Sequence, residues 1–463
     1  MNYNDYEFFI SDTPECKNES LYDFQKEAIK ELNKYFRLEE NIPDRNGLLV
    51  MPTGSGKTHT AVYWLLKDCI TKGYQVVWLV HRVELVNQAF NEIRDHISIL
   101  KRSDMPNREN FLRIIPISSN KEYNHIPAYK AFDADIYVAC INSMQSSIDH
   151  IKNMISKERR EKLIIVIDEA HHGVSDSYQE VIKRIRSYLC HNCILLGLTA
   201  TPYRMSKDDQ NALIEMYNIH RGGLYNGFVY EVKISNLIKN GTLSSPIYIP
   251  VPSNFNGIEV FSKDDEAMKF FHIFGELSPS MLNKMSRHKV RNATIVEEFL
   301  NNKEKFGKTL IFALNQSHAK NLCKKLRENG IKCDYAISQR KDSQYVIQRF
   351  KENDDIDVLI NVNMLIEGSD VPDIQTVFIT RPTNSKSVMA QMIGRALRGK
   401  NAKSKNATGT ETAYIVAFHD IWDSYISFLD PNDIINSSNE SEDENRTDNP
   451  DQEFADEWIS EMK

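Results

Sequence analysis

Glycine, lysine and threonine residues near position 55 have the spacing of a phosphate-binding loop. In the stretch NGLLVMPTGSGKTHTAVYWLL, a predicted buried strand leads into a Gly-rich turn and then into a predicted helix. Gly54 and Gly56 allow a backbone geometry that points several N–H groups at a phosphate, and the helix N-terminus adds its positive dipole end. Lys57 is predicted to reach the β- and γ-phosphates of a nucleotide, and the Thr58 hydroxyl is predicted to bind Mg²⁺. The other predicted nucleotide contacts in the loop are Pro52, Thr53 and Ser55.

Two acidic residues at the end of an apolar run supply the second half of a nucleotide site. The segment LIIVIDEAHH is predicted to be a strand that brings Asp168 and Glu169 to the carboxyl edge of a sheet, where open α/β folds bind nucleotides. Asp168 suits the Mg²⁺ shell through water, because Mg²⁺ keeps several waters and takes few carboxylates. Glu169 suits the orientation and deprotonation of an attacking water. An acidic pair alone often caps a helix, but together with the upstream loop it predicts nucleotide hydrolysis.

The phosphate loop and the DEAH box together resemble the superfamily 2 helicases, and further segments of that family follow in order between residues 20 and 425. The resemblance implies an ATP-driven motor of two tandem RecA-like domains, with ATP and Mg²⁺ in the cleft between them. LYDFQKEAI resembles the adenine-reading segment, with Gln25 as the base contact, although Tyr22 and Asp23 replace the Arg and Pro that are usual before it. Met51 stands where the general phosphate-loop pattern has glycine, a position that helicases commonly relax.

Segments on both sides of the DEAH box resemble the motifs that grip nucleic acid and couple that grip to the nucleotide. VVWLVHRVELVNQA and DIYVACINSMQ resemble the backbone-contacting segments, and GLTATPYR resembles the coupling segment. The residues that the resemblance assigns to nucleic-acid contact or coupling are His81, Arg82, Gln88, Ser143, His171, Thr199, Thr201 and Glu367.

Two segments of the second half resemble the family's nucleotide contacts from the second domain. NVNMLIEGSDVPDIQTVFI implies that Gly368 and Asp370 bind the nucleotide, and QMIGRALRG adds Gln391. Arg395 and Arg398 lie three residues apart, which predicts that they share one face of a helix. The resemblance implies that both reach the γ-phosphate as arginine fingers.

The order of elements predicts an α/β fold in which parallel sheets are flanked by helices. Strands bounded by turn signals alternate with helical stretches over most of the chain. Pro, Asn and Gly interrupt this rhythm between residues 246 and 286. The predicted division is an N-terminal extension at 1–17, a first RecA-like, ATP-binding domain at 18–240, a bridging segment at 241–290, a second RecA-like domain at 291–426 and an acidic, disordered tail at 427–463.

The composition is compatible with a nucleic-acid-binding protein. The net charge is −7, but residues 430–463 contain 12 acidic and 2 basic residues, so the preceding 429 residues carry a net charge of +3. A slightly basic body can hold a positive groove, and the acidic tail could bind a protein partner. The seven cysteines are scattered, which predicts buried thiols in a reducing compartment. No stretch has the length and apolarity of a signal peptide or a membrane span, so a cytoplasmic location is expected.

The combined motifs predict a DEAH-type, nucleic-acid-dependent ATPase that works as a helicase or translocase on DNA. The segments TATP, EGSD and QMIGRALR are most similar to RadD-like and restriction-enzyme-type DNA helicases, which include type I and type III restriction subunits. Two alternatives stay open. The chain could be a translocase or switch subunit of a restriction, repair or phage-defence complex that does not unwind DNA, or it could be an RNA helicase. A binding module that merely keeps the fold is disfavoured by the intact catalytic residues.

Overall fold

The computed structural model divides the chain into two compact α/β units, and the boundary along the chain falls between Val232 and Lys233. The predicted class of two α/β units built on parallel sheets is confirmed. The structure describes residues 3–11, 21–40, 42, 45–104, 110–119, 125–155, 162–188, 193–200, 207–217, 219, 228–261, 266, 269–271, 276–352, 355–365, 374–400, 410–422 and 428–437. Within these ranges, no helix is long and apolar enough to cross a membrane.

The first unit is built on an eight-stranded sheet with the strand order β1-β4-β5-β3-β6-β7-β2-β8. Its strands are β1 Glu7–Phe9, β2 Arg45–Val50, β3 Gln75–Val80, β4 Phe111–Ile117, β5 Ile136–Cys140, β6 Leu163–Asp168, β7 Cys193–Thr199 and β8 Phe228–Glu231. Only the β1–β4 pair at the edge is antiparallel. Every residue of β2, β3, β5, β6 and β7 is buried, as expected for apolar strands in a sheet that is covered on both faces.

Amphipathic helices flank this sheet, and their buried residues recur every three or four positions. In α1, for example, Ala28, Leu32 and Phe36 lie on one buried face. The helices of the first unit are α1 Asp23–Phe36, α2 Lys57–Trp64, α3 Val83–Asp95, α4 Ile141–Gln145, α5 Asp176–Arg186 and α6 Lys207–Met216, and α2 continues as a π-helical segment, Leu65–Ile70. The predicted N-terminal extension takes part in the fold, because its residues 7–9 form edge strand β1.

The second unit is built on a six-stranded, wholly parallel sheet with the order β11-β12-β10-β13-β14-β9. Its strands are β9 Ser245–Asn256, β10 Thr309–Phe312, β11 Cys333–Ala336, β12 Val358–Asn361, β13 Thr376–Ile379 and β14 Thr412–Ile421. Its helices are α7 Ile234–Lys239, α8 Gly257–Phe261, α9 Pro279–Ser286, α10 Lys289–Phe306, α11 Gln316–Glu328, α12 Ser343–Glu352, α13 Lys386–Gly394 and α14 Pro431–Ser437. Helix α14 lies inside the predicted tail, and residues 438–463 fall outside the described ranges.

Strand β9 differs from the predicted bridging segment, because it is the edge strand of the second sheet and pairs with β14. Its prolines, Pro246, Pro250 and Pro252, all occupy even positions, whereas the Ser245 N–H donates to the Glu411 carbonyl just before β14, at 2.9 Å. Donors to one neighbouring strand recur at every second residue of a ladder, so the odd positions of β9 face β14. The missing proline N–H groups therefore face away from the sheet, which is where an edge strand tolerates proline. The proline spacing that suggested a linker is compatible with an edge strand.

A buried ion pair fastens helix α10 to the second sheet. Arg291 Nε lies 2.8 Å from Asp420 Oδ1, and both side chains are fully buried. Arg291 Nη2 also donates to the Thr380 carbonyl at the end of β13, at 2.6 Å. Removing one partner of such a pair leaves an uncompensated buried charge, so this contact strongly favours one position of α10 over others.

Candidate functional site

The loop between β2 and α2 has the backbone conformation that a phosphate-binding turn requires. Gly54 and Gly56 have φ angles of 87° and 82°, in the left-handed region that side chains rarely adopt. Gly56 is the N-cap of α2, so Lys57 and Thr58 begin the helix and its first N–H groups face the turn. The Met51 N–H donates to the Thr199 carbonyl at 3.0 Å, which ties the start of the loop to the end of β7.

Lys57 and Glu169, which are 112 residues apart in sequence, form an ion pair beside this loop. Lys57 Nζ lies 3.2 Å from Glu169 Oε1, and the two side chains are only 10% and 13% exposed. Glu169 has a φ of 54°, and a non-glycine residue in such a conformation costs on the order of 1–3 kcal/mol. Strain of this kind persists only where the surroundings enforce it. The strain and the ion pair together fix the Glu169 carboxylate next to the phosphate loop.

Asp168 ends strand β6 as a buried carboxylate in the same group. Burial raises the pKa of Asp168, the nearby Lys57 charge lowers it, and the Glu169 charge raises it again, so the pKa lies above its ordinary value. The Glu169 N–H donates to Asp168 Oδ1 at 3.1 Å. Two neighbouring buried carboxylates disfavour each other's charged forms, and a divalent cation would relieve that repulsion.

Gln25 lies on the other side of the phosphate loop, at the start of α1. Its Oε1 accepts the Tyr22 N–H at 3.0 Å, which caps the helix. Its Nε2 points at the loop, since a Cβ built on Gly56 would lie only 2.6 Å from that nitrogen. The predicted adenine contact therefore adjoins the predicted phosphate contacts, and its amide also has a structural role.

Three imidazole rings follow one another next to Glu169. The His171–His172 and His172–His81 ring centroids are 4.3 and 4.2 Å apart, and His171 Nδ1 lies 3.6 Å from Glu169 Oε2. The positive charge of His81 also lowers the pKa of Asp168. His81 and His171 were both predicted from their motifs, but His172 was not, although the doubled histidine in DEAHH was a signal for it.

The other predicted nucleic-acid residues of the first unit lie on the elements that their motifs implied. Arg82 is the N-cap of α3, and Gln88 lies within that helix. Ser143, in α4, accepts the Ser119 N–H at 3.1 Å, so its hydroxyl already has a structural partner. Thr199 is buried at the end of β7, and Thr201 lies outside the described residues.

Apart from the two arginines, the nucleotide and nucleic-acid contacts predicted in the second half fall into two groups. Glu367, Gly368 and Asp370 lie outside the described residues. Gln391 is buried in α13, and neither its amide oxygen nor its amide nitrogen has a hydrogen-bond partner among the residues that are described. A buried amide without partners costs about 1–3 kcal/mol, so an additional polar group is expected beside Gln391.

The prediction that Arg395 and Arg398 share one helical face is wrong. Helix α13 ends at Gly394 with Arg395 as its C-cap, and Arg398 pairs with Leu243 in an isolated antiparallel bridge. The Ser244 N–H donates to the Leu397 carbonyl at 2.9 Å, and the Ser244 hydroxyl donates to the Arg398 carbonyl at 2.6 Å. The helix has therefore ended before Arg398, and these bonds hold the backbone of residues 397 and 398 beside Ser244.

Lys351, in α12, is a cation of this region that the motifs did not indicate. Burial lowers the pKa of Lys351, and the positive charges of Arg395 and Arg398 lower it further. The three side chains therefore form a positive cluster within the second unit. Only the fold reveals this cluster, because α12 and α13 are separated by more than 30 residues.

The side chains of the first unit fit a nucleotide and Mg²⁺. The left-handed glycines leave room for phosphates against the first turn of α2, and Lys57 supplies a positive charge beside them. Asp168 is a buried carboxylate, and a nearby cation would stabilise its charged form. Carboxylate oxygens are among the ligands that Mg²⁺ prefers. Thr58 lies on the same helical turn as Lys57 and can offer its hydroxyl as a second oxygen.

Two family models match the chain in order, one in each unit. The model described as "Type III restriction enzyme, res subunit" matches residues 18–204, and the model described as "Helicase conserved C-terminal domain" matches residues 291–400. The first match contains the phosphate loop and the acidic pair. The second contains Gln391, Arg395 and Arg398.

Individual relatives agree with these models. The chain is 28% identical over 276 residues to "Putative ATP-dependent helicase IRC3" of Saccharomyces cerevisiae, which covers 58% of the chain and 36% of that protein. It is 22% identical over 422 residues to the type I restriction enzyme EcoKI endonuclease subunit of Escherichia coli, which covers 84% of the chain and 34% of that protein. The chain thus spans about one third of each of these relatives.

A solved structure shares the fold. The ATP-dependent Type ISP restriction-modification enzyme LlaBIII bound to DNA has a TM-score of 0.56 and 14% sequence identity, over 88% of this chain and 28% of that one. The two matched models follow one another along the chain in the order of a helicase core, and the chain is therefore similar to superfamily 2 helicases, with restriction-enzyme subunits among the proteins that it resembles.

Proposed function

We propose that the chain is a DEAH-type, nucleic-acid-dependent ATPase that uses ATP hydrolysis to move along DNA. The observation that carries this proposal is the convergence of Lys57, Asp168 and Glu169 on one phosphate loop. A cation for phosphates, a carboxylate for Mg²⁺ and a second carboxylate for water are the three groups that phosphoanhydride hydrolysis requires. Its substrate is ATP, and the reaction yields ADP and phosphate.

The ion pair between Lys57 and Glu169 suggests how the site responds to ATP. The Lys57 ammonium group lies 3.2 Å from the Glu169 carboxylate and neutralises its charge. When ATP binds, Lys57 exchanges Glu169 for the β- and γ-phosphate oxygens, and the released Glu169 carboxylate becomes available to orient a water molecule and accept its proton. Thr58 and Asp168 would hold Mg²⁺, which would neutralise charge on the phosphates. Such an exchange of partners would link the availability of the general base to ATP binding.

We further propose that the positive cluster of the second unit acts on the γ-phosphate, with Arg395 and Arg398 as arginine fingers. Besides burial, the positive charges of Arg395 and Arg398 lower the pKa of Lys351, which means that they repel its ammonium group, and an anion would relieve that repulsion. A triphosphate would attract the positive cluster more strongly than a diphosphate because it carries the γ-phosphate. Hydrolysis would therefore weaken the interaction of the cluster with the nucleotide. Domain motion that depends on the nucleotide state in this way can drive steps along a strand.

Replacing Arg395 or Arg398 with alanine is expected to reduce stimulated ATP turnover by about 10³-fold while ATP still binds. The phosphate loop that holds the nucleotide is unchanged by either substitution. Steady-state phosphate release and binding of a fluorescent ATP analogue would measure the two effects separately. Arg349→Ala is the matched control, because Arg349 is an arginine of the same unit that lies in α12 with Lys351 but pairs with Asp355. Wild-type turnover in both finger variants would contradict their proposed role.

DNA is the proposed track because one family model and the relative from Escherichia coli carry the names of restriction enzymes, and the solved structure is a restriction-modification enzyme bound to DNA. Binding would be mainly through phosphates and therefore show little sequence preference. The alternatives are translocation on DNA without unwinding, as a subunit of a larger complex, and movement on RNA. Proteins that bind the acidic C-terminal residues are proposed partners in such a complex.

ATP hydrolysis measured with single-stranded DNA, duplex DNA and RNA would test the proposal. We expect either form of DNA to stimulate turnover and RNA to stimulate it much less. Stronger stimulation by RNA would favour the RNA helicase instead. Forked-duplex unwinding and triplex displacement would then separate the DNA activities, since a translocase that does not unwind displaces a triplex strand but leaves the fork intact. A chain that hydrolyses no ATP under any of these conditions would refute the ATPase itself.

A further inference from the structure

His59, Glu92 and His96 come together on α2 and α3, outside the groups that contact the nucleotide. His59 Nδ1 lies 3.1 Å from Glu92 Oε1, and His96 Nδ1 lies 3.6 Å from the same oxygen. The two imidazole centroids are 4.6 Å apart. One potential ligand atom from each residue falls within 4.8 Å of the others.

The helices produce this arrangement by simple geometry. Glu92 and His96 are four residues apart, so they lie on one face at the C-terminal end of α3. Helix α2 packs against α3 and supplies His59 from its first turn. Two helices that are fixed by the core therefore set the distances within the group.

The hydrogen bonds already prepare the side chains to act as ligands. His96 Nδ1 lies 2.6 Å from the Glu92 carbonyl oxygen, so Nδ1–H donates there and Nε2 keeps its lone pair. A bond of this kind from the second ring nitrogen is typical of histidines that bind metals.

We propose that His59, Glu92 and His96 bind a transition-metal dication, with Zn²⁺ as the best fit. Zinc ligands at about 2.0–2.1 Å from the ion lie about 3.3–3.4 Å apart in a tetrahedron, close to the 3.1 Å between His59 Nδ1 and Glu92 Oε1. Two imidazoles and one carboxylate suit Zn²⁺, whereas Mg²⁺ prefers oxygen ligands alone. His59 and Glu92 are 24% and 31% exposed, so water can complete the fourth position.

A metal at this position would cross-link the two helices. His59 directly follows Thr58, so the ion would anchor the helix that begins at the phosphate loop to the helix that Arg82 caps. The metal site does not depend on the proposed ATPase activity, because its ligands are distinct from Lys57, Asp168 and Glu169. Either proposal can therefore fail without the other.

The test is zinc binding by the full chain, measured by equilibrium dialysis with metal analysis in excess Mg²⁺ and a phosphine reductant. We expect one zinc per chain, a higher melting temperature with zinc, and an X-ray absorption shell of nitrogen and oxygen at about 2.0–2.1 Å with imidazole scattering. His59→Asn, Glu92→Gln and His96→Asn should each weaken binding at least about 100-fold, since even indirect partners of a metal typically contribute about 10–100-fold. Glu92→Gln keeps the shape of the side chain and should keep the metal-free melting temperature.

His150→Gln is the matched control, because His150 is exposed and remote in sequence from the three ligands. It should bind zinc like the unmodified chain. A sulfur shell at about 2.3 Å would overturn the proposal, because it would indicate cysteine ligands. Full zinc binding by the three ligand variants would place the ion elsewhere, at the histidines beside Glu169 for example, and would overturn it too. Absence of zinc binding would mean that the group is only a hydrogen-bonded pair with a neighbouring histidine.

Discussion

Replacing Lys57 with alanine is expected to reduce ATP turnover by at least about 100-fold, the loss that follows removal of one group that stabilises transition-state charge. Lys57 is the cation that the first unit places beside the phosphate loop, and it also neutralises Glu169 at 3.2 Å. The alanine variant therefore loses the phosphate contact and leaves Glu169 without its positive partner. Phosphate release at saturating DNA would measure the loss, and ATP affinity should fall as well.

Lys67→Ala is the control for this experiment. Lys67 belongs to the π-helical continuation of α2, but it is exposed and contacts the nearby Tyr63 hydroxyl instead of the loop. The control should turn over ATP like the wild type and melt at the same temperature. Near-normal turnover by the Lys57 variant would remove the phosphate loop from the catalytic site.

Glu169→Gln is expected to bind ATP but to hydrolyse it about 10²–10⁴-fold more slowly, the usual contribution of a general base. Glutamine keeps the shape of the side chain but cannot take a proton from water. The substitution also removes the charge that pairs with Lys57, so we expect ATP to bind at least as tightly as before. Retention of labelled ATP on the protein, together with single-turnover hydrolysis, would separate binding from chemistry.

Glu180→Gln makes the same chemical change at an exposed position of α5, where the carboxylate accepts a hydrogen bond from Gln145. Its turnover should match that of the wild type. If Glu169→Gln hydrolysed ATP at the wild-type rate, another residue would have to act as the base. If it failed to bind ATP, Glu169 would have a structural role in the loop instead.

Local sequence predicted the nucleotide-binding half of the site because each motif carries its own geometry. A glycine turn before a helix and two acids after a strand require only short-range rules, and a parallel sheet brings the carboxyl ends of β2 and β6 to one edge. The Lys57–Glu169 contact across 112 residues follows from that topology. The order of the motifs, together with this topology, accounts for the proximity of Lys57 and Glu169.

The features that sequence could not predict depend on contacts between distant segments. Arg398 lies outside the helix, where Ser244 donates a hydrogen bond to its carbonyl, and no local sequence signal predicts that contact. Lys351 joins the two arginines only because α12 and the end of α13 belong to one unit. The sequence of β9 resembled a linker because proline usually interrupts strands. Only the pairing with β14 shows that the prolines occupy positions whose N–H groups make no hydrogen bond to the sheet.

Strand β9 also decides where the protein can be cut into fragments. The helicase C-terminal model begins at residue 291, and a fragment that starts there would lack β9, which ends at Asn256. Without β9, strand β14 would become the edge of the sheet. Strand β14 is long and largely buried, and it has none of the prolines that keep the outer edge of β9 from pairing with another strand. Such an edge can pair with the same edge of another copy, so the short fragment should aggregate. A fragment that starts at Lys233 keeps its own edge strand and should stay monomeric.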